Sequence, residues 1–169
     1  MPHARNTKKV KVEPLRFDTY LAVAKASAGS RMFQCYYARV NGTRREVLGK
    51  GNLACAFHVS SILRIFGLVS NLQITVHRLL DDMERSGWKK IQKPRAGCIV
   101  LWREKPRNPS HYKKDKKSHV PFVRHMGIYL GGGKAVSNRS DVGKNHVPFV
   151  HSLYYRPIET YFWHKKLDL

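Results

Sequence analysis

The stretch HMGIYLGGGKAVSN, residues 125–138, holds two β-prone runs joined by Gly131, Gly132 and Gly133. Runs of this kind on either side of a glycine cluster predict a tight antiparallel hairpin. Further short apolar runs flank it. GCIVLWRE follows Pro94, while HVPFVHSLYY and IETYFWHKK come after the hairpin. Each reads as a strand. Upstream the period changes. Leu15, Tyr20, Leu21, Val23 and Ala24 roughly follow helical spacing behind Pro14, with Gly29 as a C-cap. Asn41-Gly42 between β-prone runs predicts a second hairpin. LACAFHVSSILRIFGL and ITVHRLLDDMERSGW read as amphipathic helices closed by Gly67 and Gly87. Helices first and antiparallel strands after is the order of an α+β fold.

The chain has 169 residues, enough for one domain with a core of its own. Residues 1–13 are expected to form a flexible basic tail, and 14–169 a single domain. The 32 Lys and Arg against 11 Asp and Glu leave a net charge of +21. Such a surface attracts polyanions: nucleic acid, anionic headgroups or acidic cell-wall polymers. Cys35, Cys55 and Cys98 are an odd number with no CxxC spacing, which speaks against a disulfide scaffold and a zinc site. The basic N-terminus has no apolar run behind it, so no signal peptide is read, and localisation stays open. No apolar run reaches the ~20 residues of a membrane helix.

Cys55 falls in the first turn of its helix, where the dipole and unpaired N–H groups favour a thiolate. A nucleophilic thiol needs a histidine to take its proton and a polar group to orient that ring. His125 opens the first strand of the glycine hairpin and Asn138 ends the second. Antiparallel pairing brings both to one sheet edge, which the helix N-terminus can face. Cys35 and Cys98 read as buried small residues.

At these residues the chain resembles a family. LACAFHVSSIL, PRAGCIVLWRE and VRHMGIYLGGGKAVSN look like the three blocks of the NlpC/P60 and CHAP cysteine peptidases and amidases. The resemblance covers roughly residues 50–140. It implies a papain-like α+β fold, N-terminal helices on an antiparallel sheet, with Cys55 as nucleophile and His125 as general base. It also implies a substrate with a peptide or amide bond in peptidoglycan, and no metal or organic cofactor. The chain departs from the pattern in three places. Ala54 and Ala56 stand where Asp and Ser often flank the cysteine, Cys98 replaces the Asp of the Gly-Asp turn, and Ser137 falls where the family often has a third His. Asn138, whose carbonyl can accept from a ring N–H, is the preferred third member, with Ser137 and His151 as rivals. Tyr36 and Tyr37 stand where the family often places an oxyanion-assisting tyrosine, but an ordinary hairpin face explains them as well.

Other motifs weigh less. His58 could share a helix face with Cys55 but has no acidic neighbour to make a metal pair. The three glycines lack the GK[ST] of a phosphate loop. The basic segment 103–117 reads as a solvated face. The expected protein is a monomeric cysteine hydrolase, its basic surface holding it on acidic wall polymers. The alternative is a basic nucleic-acid-binding protein or a catalytically degenerate relative, with Tyr112, Tyr154, Tyr155 and Trp163 serving base contacts.

Overall fold

The computed structural model describes residues 10–106, 122–139 and 146–168. Most of the basic tail and of the basic loop lie outside these residues. Three helices precede most of the strands: α1 (Arg16–Ala26), α2 (Cys55–Ile65) and α3 (Val76–Ser86). The strands are β1 (Tyr37–Val40), β2 (Thr43–Glu46), β3 (Lys89–Ile91), β4 (Ile99–Pro106), β5 (Phe122–Gly131), β6 (Lys134–Asn138), β7 (Pro148–Ser152) and β8 (Ile158–Trp163). β1 and β2 form a separate hairpin, and the other six make one antiparallel sheet in the order β3-β8-β4-β5-β6-β7. The α+β architecture expected from the sequence is present.

The turn chemistry explains both hairpins. Asn41 and Gly42 have φ of 49° and 78°, the left-handed pair of a type I′ turn. Gly131, Gly132 and Gly133 all have positive φ, a run that side chains would strain. Gly87, with φ 97°, closes α3 as a left-handed cap. The short strand β3 was not read from the sequence. Its three residues, Lys-Lys-Ile, are too polar and too few to signal a strand, and pairing with the end of β8 alone specifies it.

The core lies between the helices and the six-stranded sheet. Ile62 and Leu63 of α2, Leu79 and Met83 of α3, and Ile99, Leu101, Met126, Ile128 and Val136 of the sheet are buried. Helix α2 packs on β5 and β6, which sets its N-terminus near the hairpin. The approach to α2 is held by Glu46. Its carboxylate accepts from the amides of Leu48 (2.7 Å), Lys50 (3.0 Å) and Tyr36 (3.2 Å). At the other end of α2, Asp82 accepts from the amides of Ser70 (3.0 Å) and Asn71 (2.9 Å), tying the α2–α3 connection to α3. No helix among the described residues is long and apolar enough to cross a membrane.

Candidate active site

Cys55 is the first residue of α2. Its N-cap, Ala54, makes no side-chain capping bond, so the first-turn amides have no side-chain acceptor from that position. The backbone amides of Met126, Ala56 and Cys55 itself lie against the Cys55 sulfur, and the Arg156 guanidinium adds a positive charge nearby. Paired positions between β5 and β6 run from Gly131 only to Ile128, opposite Val136, so at Met126 the ladder has ended. The Met126 N–H favours negative charge on the sulfur.

The expected acid shift of the thiol is not what the structure gives. Burial pushes the Cys55 pKa up, and the amide hydrogen bonds and the Arg156 charge only partly offset it. The dipole argument omitted desolvation, which penalises an anion more than one helix terminus rewards it. Cys98 is buried as expected, its pKa raised to about 12 by burial. Cys35 is exposed, contrary to expectation, because it falls between the short helical turn Arg31–Phe33 and β1, outside the core.

His125 is on β5, one residue from the amide that touches the sulfur, and is buried. Its Nε2 lies 2.9 Å from Ser137 Oγ on β6. Ser137 Oγ lies in turn 2.7 Å from His151 Nε2 on β7. The Nδ1–H of His151 donates to the Ser152 carbonyl at 2.8 Å. Trp102 backs both imidazoles. Its ring centroid is 5.4 Å from that of His125 and 5.6 Å from that of His151, and its Nε1–H donates to Leu153 O at 2.9 Å. Tyr155 stands edge-on to His151 at 4.6 Å and to His125 at 6.2 Å.

Three sequence candidates for the orienting group thus have different places. Ser137 touches His125, His151 reaches it through Ser137, and the Asn138 amide donates to His146 O at 3.1 Å. That last bond fastens residue 146 beside the loop before α2, where a Cβ on Gly51 would run into the same carbonyl. Asn138 faces the loop rather than the imidazole because successive strand residues point to opposite faces and Ser137 already points at His125.

Gly127 has a specific reason to be glycine. A Cβ there would lie 2.6 Å from Val136 O, 2.7 Å from Ser137 Cβ and 3.1 Å from the Trp102 ring. Arg156 went unread in the sequence. A lone arginine in YYRP carries no signal, and only the fold puts it near Cys55. His58 is a core residue: Nε2 is 2.8 Å from Ser27 Oγ, and its ring stands edge-on to Phe33. Tyr36 stacks edge-on against Phe57 at 5.4 Å. Among the described residues no cluster of His, Cys, Asp or Glu could hold a metal ion. No protein-family model and no curated protein matches the chain.

Proposed function

We propose that the protein is a cysteine hydrolase of papain-like, NlpC/P60-type architecture that cleaves a peptide or amide bond, with peptidoglycan peptides as the substrate class. The observation that carries this reading is the junction of α2 with the end of the β5–β6 ladder. A cysteine opens a helix, a free-edge amide meets its sulfur, and the adjacent strand residue is a buried histidine tethered through Nε2. A purely structural cysteine requires none of this.

In the proposed reaction the Cys55 thiol attacks the carbonyl carbon while His125 takes its proton. Concerted removal suits a thiol whose burial disfavours the free thiolate. The amides of the α2 first turn face the developing oxyanion, and one such donor contributes about 3 kcal/mol. His125 then protonates the leaving amine, and water deprotonated by His125 releases the acyl group. The basic surface holds the enzyme on acidic wall polymers.

The test is acylation by an activated ester followed by peptide mapping, together with turnover of wall peptides. The expected result is an acyl adduct on Cys55, absent in Cys55→Ala, and hydrolysis lost by a factor of at least ~10³ in that variant. A folded wild-type protein that is never acylated and cleaves no amide, yet binds nucleic acid with sequence preference at physiological salt, overturns the reading. Salt-sensitive binding alone decides nothing, because any surface this basic shows it.

A further inference from the structure

We infer that His151 is a positioning residue: acting through the Ser137 hydroxyl, it sets which nitrogen of His125 carries the proton. The inference follows from counting hydrogens along one chain of bonds. The Ser152 carbonyl can only accept, so His151 Nδ1 holds a proton and its neutral ring presents a bare Nε2. A bare Nε2 at 2.7 Å from Ser137 Oγ must accept the single hydroxyl hydrogen. Ser137 Oγ then has only lone pairs for His125, so His125 Nε2, at 2.9 Å, must be the protonated nitrogen. The neutral His125 ring is thereby fixed with Nδ1 as its basic atom. No link in this chain is a carboxylate, the group that more often orients a basic histidine.

The same count predicts an inversion. When His151 gains a proton at Nε2, it becomes the donor to Ser137 Oγ. The hydroxyl hydrogen then turns to His125 Nε2, which must be bare, and the proton of neutral His125 moves to Nδ1. A His125 whose proton sits on Nδ1 has no lone pair at that atom, so it cannot accept the proton of a thiol placed there. The chain thus links acidification at β7 to loss of base function at β5. Ser137 of β6 hydrogen-bonds His151, and the rings of Trp102 of β4, Phe149 of its own strand and Tyr155 pack on it. The Arg139 guanidinium lies 3.7 Å over the Tyr155 ring and 5.5 Å over that of Phe149, the two rings packed on His151. A cation in that place disfavours a second one on His151.

The catalytic consequence rests on the hydrolase reading, but the tautomer does not, which lets the two fail separately. Long-range proton–nitrogen NMR of the full chain, labelled with 15N-histidine, reports which ring nitrogen of His125 is protonated. In the wild type above the His151 titration the expected form is Nε2–H, passing to Nδ1–H as His151 titrates. Ser137→Ala and His151→Phe should each lose the single tautomer. His151→Gln, whose amide oxygen can accept from Ser137, should keep it and abolish the pH-driven change. If the hydrolase reading holds, His151→Phe should lower kcat on the order of 10²-fold with KM little changed, and His151→Gln should recover most of it. A His125 tautomer that is Nδ1–H in the wild type, or that is the same in wild type, Ser137→Ala and His151→Phe, overturns the inference whatever the activity. Should His151→Phe not fold, Ser137→Ala and the pH course of His151→Gln still decide it.

Discussion

Replacing Gly127 by alanine adds one methyl group at the most crowded point of the candidate site. The added Cβ would meet Val136 O at 2.6 Å and Ser137 Cβ at 2.7 Å, whereas ordinary contact begins near 3.4 Å. Both obstacles are parts of β6 that do not rotate away, unlike the tip of a flexible side chain. The Trp102 ring, 3.1 Å away and anchored through its indole N–H to Leu153, does not yield easily either. β5 and β6 must therefore separate locally by about 0.8 Å, the difference between those contacts and 3.4 Å. Added to the 2.9 Å His125–Ser137 bond, a shift of that size passes ~3.6 Å, where a side-chain hydrogen bond no longer exists. Overpacking of this kind costs about 1–3 kcal/mol. Urea denaturation should show Gly127→Ala destabilised by about 2 kcal/mol, with the His125 ring resonances displaced in the native protein. Gly132→Ala is the control, for a Cβ there meets no atom within 4 Å and the only penalty is its positive φ of 56°. That costs about 1 kcal/mol and should leave His125 unchanged. A Gly127→Ala protein within 0.5 kcal/mol of wild type, a bound about as small as a neutral surface change, with His125 undisturbed would refute the close approach of β5 to β6.

Three further outcomes are expected. Iodoacetamide at neutral pH, followed by mass spectrometry, should modify exposed Cys35 first and leave buried Cys98 unmodified, while Cys55 labelling should be slow at neutral pH and quicken as pH rises. Rapid, pH-independent labelling of Cys55 near pH 6 would instead require a stable thiolate–imidazolium pair. Burial lowers the His58 pKa from 6.5 to about 3, so the folded state resists a proton that the unfolded chain accepts. Stability should fall as pH drops below 6.5, and continue falling towards 3, with a weaker slope over that window in His58→Leu, as read by denaturation midpoints. Burial opposes the charge on Asp82, but hydrogen bonds from Gln73, Ser70, Asn71 and Ser86 prevail and hold its pKa below the ordinary value. Its contribution is present above the unfolded carboxylate value and lost as pH falls through the lower folded one. Asp82→Ala should cost about 2 kcal/mol at pH 7, since it leaves the loop amides without acceptors.

What the sequence by itself determined was local. Helical period set α1, α2 and α3, glycines with positive φ set the two hairpins, and the place of Cys55 at the start of α2 followed from the apolar run behind it. These depend on interactions within a few residues, which spacing records. The tertiary structure decided what depends on distance across the sheet. Alternation along β6 aims Ser137 at His125 and Asn138 at residue 146, although either of these adjacent residues satisfied the pattern. The register of β6 with β7 brings His151 to Ser137, and no spacing in the chain encodes that meeting. Arg156 near the sulfur and the rise in the Cys55 pKa belong to the same class. A helix terminus is legible in sequence, whereas desolvation is set by everything packed around the sulfur, most of it remote along the chain.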